Sequence, residues 1–185
     1  MEFTAFWVIL IALGVIILWL IVTYNQLVKY RNRVKEAWSD IDVQLKRRYN
    51  LIPNLLESVK GYMKHEEGVL TQVTQARTMA MGAQTPSEHA QTETMLSGAL
   101  KSLFAVSENY PDLKASQNFL DLQQNLTDAE DKIQASRRFF NANTRDYNTK
   151  LETFPTNLIA GIFGFQKEVF YDAPEEAEAV PKIAF

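Results

Sequence analysis

Cysteine is absent from the sequence, which excludes disulfide bonds, thiolate catalysis and cysteine-ligated metal sites. Glycine and proline are scarce, at seven and six of 185 residues, and most of them lie where a helix is expected to begin or end. A basic excess is also missing, because 19 lysines and arginines stand against 22 acidic residues, a net charge of −3. Broad contact with phosphates is therefore not favoured, and we expect no nucleic-acid partner.

Motifs that carry known chemistry are missing as well. Val69 stands four residues after His65, so no HExxH zinc motif forms, and neither histidine follows a glutamate by three residues. The sequence has no Walker motif and no dinucleotide-binding glycine loop. We therefore expect no catalytic residues, no metal and no cofactor. An enzyme whose site is built from scattered acidic residues and arginines remains an alternative.

One long stretch, Phe3 to Val22, lacks charge altogether. About 20 apolar residues at 1.5 Å each cross the roughly 30 Å hydrocarbon core of a bilayer. Trp7 and Trp19 lie near its ends, where aromatic rings favour the membrane interface. A cleaved signal peptide is disfavoured, because no basic residue precedes the run and no small-x-small cleavage site follows it. We expect residues 1–23 to be a transmembrane anchor.

The segment after this run, from Thr23 to Lys35, contains no acidic residue. Its basic residues are Lys29, Arg31, Arg33 and Lys35. The positive-inside rule then places the C-terminal domain in the cytoplasm, on a bacterial inner membrane crossed once, with a periplasmic domain as the alternative. Beside the span this basic cluster favours membrane lipids with anionic headgroups as partners, although a merely solvated helix face would look the same.

Beyond the span, apolar residues recur at alternating steps of three and four from Tyr24 to Tyr62 and less regularly to Ala80. This spacing is typical of a helix packed along a seam. Its phase is not reset at Pro53, so we expect one helix over residues 24–82, although an internal proline costs about 3 kcal/mol. The alternative ends that helix near Pro53 and begins a second one capped by Asn50.

The remaining helices have clearer limits. Residues 85–88, Thr-Pro-Ser-Glu, form a capping box that predicts a helix over 86–109. A further periodic stretch predicts a helix over 115–152. Short connections between long helices imply antiparallel neighbours. The expected fold is therefore all-α, with the transmembrane helix continuing into an up-and-down bundle of three to four helices over 24–152.

Two arginines, Arg31 and Arg48, occupy positions in the apolar seam. In one interpretation each snorkels or pairs with a carboxylate such as Glu36 or Asp42. In the other the seam is an assembly surface where a buried arginine fixes partner and register. The candidate assembly seam consists of Trp38, Ile41, Asp42, Leu45, Arg48, Ile52 and Pro53.

The end of the chain carries two further segments. Residues 153–170 are apolar but too short to span a membrane, so we expect a short helix that caps the bundle or lies in the membrane interface. Residues 171–185 are acidic and interrupted by proline, which predicts an extended tail. Its Ile183 and Phe185 are candidate recognition residues for a strand-addition or carboxylate-binding pocket. A solvated tail is the alternative.

Several blocks of the sequence resemble the LemA family, and together they cover nearly the whole chain. The most specific block has the pattern AWSxIDVQLKRRxxLIPNL, at residues 37–55. The others are YNQLV at 24–28, VKGY at 59–62, FLDLQ at 119–123, AEDKI at 129–133, RRFFN at 137–141 and FGF at 163–165. The resemblance implies a bacterial, membrane-anchored helical bundle with no established enzymatic activity and no catalytic residues to carry over. A magnetosome-associated relative suggests a role in organising membranes.

These observations favour a non-enzymatic scaffold that forms homo-oligomers on a membrane and holds lipids or another membrane protein. An adaptor for a membrane protease or secretion complex, which would use the tail as its handle, is the main alternative.

Overall fold

The computed structural model describes residues 2–63 and 65–171, and every regular element in these residues is an α-helix. The helices are α1 Glu2–Lys60, α2 Glu67–Gly82, α3 Pro86–Ser107, α4 Pro111–Lys114, α5 Gln117–Glu152 and α6 Thr156–Ile162. The prediction of an all-helical fold is confirmed. Four helices are long, and the two short ones, α4 and α6, follow α3 and α5 respectively.

The first helix, α1, is 59 residues long and has two parts. Its N-terminal part is exposed, and within the described residues α1 is the one helix long and apolar enough to cross a membrane. Burial begins at the end of that part, because Leu20 is half-buried and Thr23 is only 6% exposed. The helix continues from one part to the other without interruption.

The bundle is formed by α1 packed along α5, with α2 and α3 packed along each other. Arg47 of α1 pairs with Asp128 in the first half of α5. Tyr30, which lies earlier on α1, is close to Lys150, which lies later on α5. The helices α1 and α5 are therefore antiparallel. The largest fully buried side chains are Leu27, Ile41, Leu45, Ile52, Leu55, Met63, Leu96, Leu103, Leu113, Phe119, Tyr147 and Tyr171.

The predicted single helix over 24–82 is wrong beyond Lys60. The chain turns between Lys60 and Glu67, where the amide of Met63 donates to the carbonyl of Val59. The apolar spacing hid this turn, because α2 buries Val73, Ala76 and Ala80 in nearly the phase that α1 would have continued. Glycine at position 61 disfavours helix continuation, and Glu67 in the first turn of α2 suits the positive end of the helix dipole.

Proline 53 lies inside α1, so the alternative that began a new helix at Asn50 is also wrong. Proline has no amide hydrogen, and the carbonyl of Tyr49, four residues earlier, therefore has no helical donor. The side chain of Arg77 on α2 replaces it, with Nε donating to that carbonyl at 2.8 Å. The backbone carbonyl that lacks a hydrogen-bond donor within α1 is thus bound by a side chain of α2, which connects the two helices.

The ends of two other helices follow local signals. The capping box predicted at residues 85–88 is confirmed, because the side chain of Thr85 accepts from the amide of Glu88 and the Glu88 carboxylate accepts from the amide of Thr85. At the end of α6, Gly164 adopts a φ of 67°, and the amide of Phe165 donates to the carbonyl of Ala160. This left-handed glycine turn reverses the chain.

From this turn onward, residues 163–171 form a non-helical segment, here called the strap, that returns along α1 and α5. The side-chain amide of Asn148 binds both backbone groups of Glu168, at 2.8 and 3.0 Å. Seven residues earlier on α5, Asn141 binds both backbone groups of Tyr171, at 3.2 and 2.9 Å. The two asparagines satisfy partly buried backbone groups that an extended segment cannot satisfy by itself.

The link between Pro53 and Arg77 can be tested by a double-mutant cycle. Arg77→Ala should lower the free energy of unfolding by about 1.5 kcal/mol, because it removes a charge-assisted hydrogen bond. In a Pro53→Ala background the Tyr49 carbonyl regains a helical donor, so the same substitution should cost clearly less. Denaturant unfolding of the detergent-solubilised chain measures both costs, and equal costs in the two backgrounds would contradict the link.

Candidate functional site

A polar cluster lies in the centre of the bundle, here called the Arg48 cluster, where α1, α3 and α5 meet. Its members are Arg48, Tyr49, Glu93, Ser97 and Glu130. Nη1 of Arg48 donates to Oε2 of Glu93 at 2.8 Å and lies 2.8 Å from Oε2 of Glu130, while Nη2 donates to the Ser97 hydroxyl at 2.9 Å. One guanidinium therefore joins three helices.

The electrostatics of the Arg48 cluster suit a structural role. Arg48 is 3% exposed and Glu93 is fully buried, and charges at such depth persist only when they are paired and hydrogen-bonded. The hydroxyl of Tyr49 lies 2.6 Å from Oε1 of Glu93. Burial raises the pKa of Tyr49 far above its ordinary value, and the hydrogen bond to Glu93 raises it further. Tyr49 therefore stays a neutral donor.

The Arg48 cluster has few groups that are available for a reaction. The Arg48 guanidinium and the buried Glu93 carboxylate are hydrogen-bonded to each other. A groove of 380 Å³ beside them reaches Glu130 and Lys101. In the part of the chain that the structure describes, no group of three or more His, Cys, Asp or Glu residues is placed to hold a metal ion.

The structure places the predicted assembly seam inside the chain's own core. Ile41, Leu45 and Ile52 are fully or almost fully buried, and Arg48 belongs to the central cluster. An intermolecular seam through these four residues is wrong, because they are buried within the same chain, where α1 packs along α5 and Arg48 also binds α3. The pattern alone could not distinguish a partner helix in the same chain from one in another.

The other seam positions lie at the edge of the bundle. Trp38 is half-buried, and Pro53 is exposed. Asp42 pairs with Lys46 at 2.6 Å rather than with a seam arginine. Arg31 has no carboxylate partner among the described residues, and its guanidinium lies 5.3 Å from the centre of the Phe165 ring. The interpretation that a seam arginine pairs with a carboxylate is confirmed for Arg48, whose partners are Glu93 and Glu130 rather than the suggested Glu36 or Asp42.

Sequence reasoning missed Glu93 as a site residue, although a signal was present. Glu93 stands three residues before Leu96 and seven before Leu100, so it shares the buried face of α3. An acidic residue in register with buried leucines indicates a paired internal charge. Its partner, 45 residues earlier in the chain, could not be identified from spacing alone.

An aromatic cluster lies between the Arg48 cluster and the apolar part of α1. The ring of Trp38 lies 5.5 Å from the rings of His89 and Phe140 and 6.2 Å from that of Tyr171. Burial lowers the pKa of His89, against the opposing effect of nearby carboxylates, chiefly Glu93. These contacts connect α1, α3, α5 and the end of the strap.

The predicted basic cluster lies next to the apolar part of α1. Lys29, Arg33 and Lys35 are exposed, whereas Arg31 is half-buried beneath the strap. The cluster therefore presents three exposed cationic side chains at this level rather than four, and the guanidinium of Arg33 lies 5.7 Å from the centre of the Tyr30 ring. The predicted recognition residues Ile183 and Phe185 lie outside the described residues.

The fold and these sites define a helical bundle carried on a helix that is apolar enough to span a membrane. The sequence profile of the LemA family matches residues 37–185. Protein LemA of Metamycoplasma hominis is 30% identical over 155 residues, covering 82% of this chain and 69% of that protein. The chain belongs to the LemA family.

More distant relatives are named magnetosome proteins. Magnetosome protein MamQ of Magnetospirillum gryphiswaldense is 25% identical over 182 residues, which cover 84% of this chain and 67% of the relative. Magnetosome protein MamQ 2 of Paramagnetospirillum magneticum gives the same identity and coverage. The family membership and the apolar helix together point to a membrane-associated protein.

The Arg48 cluster gives a prediction on stability. Arg48→Met should lower the free energy of unfolding by about 3–5 kcal/mol, because it leaves the Glu93 charge buried without its partner. Adding Glu93→Leu should recover most of this loss, since the unpaired charge is then removed. The exposed Arg138→Met is the matched control and should change stability by less than about 0.5 kcal/mol. If the double variant were no more stable than Arg48→Met, the pairing would not be the cause.

The half-buried His89 gives a prediction on pH. Because the pKa of folded His89 lies below its ordinary value of 6.5, the unfolded chain takes up this proton first as the pH falls. The stability that neutral His89 contributes is complete above pH 6.5 and is lost as the pH falls towards the lower folded pKa. His89→Gln should therefore lose less stability than the native chain between about pH 7 and pH 5, measured by denaturant unfolding. Equal losses would contradict this assignment.

Proposed function

We propose that this protein is a non-enzymatic scaffold anchored in a membrane, which associates with further copies of itself and holds them in a fixed orientation to the bilayer. The observation that carries this proposal is the continuity of α1, which contains both the candidate span and the central helix of the bundle. A flexible tether would only localise a domain. An uninterrupted helix also sets its direction.

Further observations support an organising role. The buried charges of the Arg48 cluster are engaged with one another, so they stabilise the bundle and leave no free acid or base at its centre. Two of the relatives are named as magnetosome proteins, which favours organisation over catalysis. Self-association must use exposed residues, because the apolar seam is occupied within the chain. Exposed large apolar side chains on the outer faces of α2 and α3 include Met79, Met81 and Met95.

The proposal includes an orientation. We place the bundle on the cytoplasmic side of a bacterial inner membrane, because the exposed Lys29, Arg33 and Lys35 follow the span directly and no acidic residue interrupts them. These side chains also suit the negative surface potential of a cytoplasmic leaflet.

Single cysteines test both parts, since the native chain contains none. In native membranes, Met79→Cys or Met95→Cys should give dimers and larger species with a bifunctional maleimide, whereas the buried Ile41→Cys should not. In intact spheroplasts, a membrane-impermeant maleimide should leave Met95→Cys unlabelled. Monomers alone at every exposed position tried would overturn self-association, and external labelling would overturn the cytoplasmic placement.

A further inference from the structure

The segment around α6 lies beside the end of the candidate span. The Phe163 ring is 4.9 Å from the ring of Tyr24, and the Phe165 ring is 5.7 Å from it. Tyr24 is two residues beyond Val22, which corresponds to roughly 3 Å of helix rise. Leu20, inside the apolar run itself, is already half-buried against the core. The bundle therefore reaches down to the level at which the span would leave the hydrocarbon.

This segment is unusually apolar for an exposed one. Residues 154–165 contain no charged residue. The helix α6 buries Ile159 and Ala160, while large apolar side chains on α6 and immediately before and after it stay exposed. The exposed ones are Phe154 at 74%, Leu158 at 56%, Ile162 at 76% and Phe163 at 56%. A contiguous exposed patch of this kind marks an interaction surface.

We propose that this patch, formed by Phe154, Leu158, Ile162 and Phe163, is a second membrane contact that inserts into the bilayer interface beside the α1 span. The inference rests on the proposed membrane anchor and deepens it by naming a further lipid-binding surface. The patch is expected to contact the interface of the bilayer rather than another protein, because it lies at the level where a membrane-spanning α1 meets the bilayer surface.

The charges around the patch agree with this assignment. On α1, Lys29 lies about one and a half turns and Arg33 about two and a half turns beyond Tyr24. Lys150, near the end of α5, lies close to Tyr30 of α1. Apolar and aromatic side chains are thus placed at the depth of the acyl boundary, with cationic side chains above them at the depth of the headgroups. This is the arrangement of interfacial membrane segments.

The patch is held firmly relative to the span. Gly164 turns the chain back, and the asparagines of α5 bind the strap that follows at Glu168 and Tyr171. Lys167 on the strap pairs with Glu152 at the end of α5. Two contacts with the bilayer, α1 and the patch, fix the tilt and rotation of the bundle, which a single helix crossing the membrane leaves open.

The test uses single cysteines in the full chain, each labelled with an environment-sensitive fluorophore and reconstituted into vesicles of phosphatidylcholine and phosphatidylglycerol. Ile162→Cys reports the patch, Ile16→Cys reports the middle of the span, and Met95→Cys reports the remote bundle. Met95 is two residues from Glu93, whose partner Arg48 lies roughly 40 Å along α1 from Val22. Lipids with spin labels near the headgroup quench fluorophores at the interface, and lipids with spin labels deep in the acyl chain quench a fluorophore at Ile16 inside the span.

We expect the Ile162 label to be quenched at least about threefold more strongly than the Met95 label, as is expected for an interfacial segment. Quenching at Ile16 but not at Ile162 would overturn the second contact and leave the anchor intact. Absence of quenching at Ile16 as well as at Ile162 would overturn the anchor, and the second contact with it.

A fluorophore can enter the lipid because it is itself hydrophobic. A variant in which two residues of the patch are replaced by aspartate controls for this effect. With the label moved to Phe154→Cys, the exposed pair Leu158→Asp and Ile162→Asp should reduce quenching to the level of Met95. The matched control, Leu120→Asp and Phe139→Asp, changes two exposed apolar residues on α5 and should leave quenching unchanged. Unchanged quenching in the patch variant would overturn the proposal.

Discussion

The continuity of α1 determines the geometry of this protein, because an uninterrupted helix fixes the direction of its apolar part relative to its buried part. The apolar run and the buried residues from Leu27 onward lie on the same helix axis, and roughly 57 Å of helix separates Val22 from Lys60. The other helices pack around the second part of α1. α5 packs antiparallel to it, and the α2–α3 pair closes the bundle at its far end.

Polar contacts then fix the register along α1. Arg48 binds carboxylates from α3 and α5, and Arg77 from α2 binds the carbonyl that Pro53 leaves without a helical donor. Apolar packing tolerates small shifts between helices, but a buried guanidinium does not, since a displaced partner leaves charge unpaired in a medium of low dielectric. The strap is also fixed to α5, through the paired hydrogen bonds that Asn141 and Asn148 make with its backbone.

Features that depend on local sequence could be predicted. The charge-free run and the capping box at Thr85 are encoded in a few neighbouring residues, and the all-helical fold follows from periodicity. The turn after Lys60 was missed because periodicity records which residues face the core and not whether the chain has reversed between them. The Arg48 cluster and the strap depend on residues far apart in the chain, such as Asn148 and Glu168, and on the backbone direction that Gly164 sets.

The central claim, that span and bundle form one stiff unit, is tested most directly by pulsed electron paramagnetic resonance in nanodiscs. One spin label replaces Ile16 in the span and the other replaces Met95 on α3, and the lack of native cysteine removes any background labelling. A four-glycine insertion after Thr23 provides a flexible control, since glycine disfavours helix continuation. We expect a single narrow distance distribution in the native sequence and a broad one in the control. A native distribution as broad as that of the control would contradict the claim.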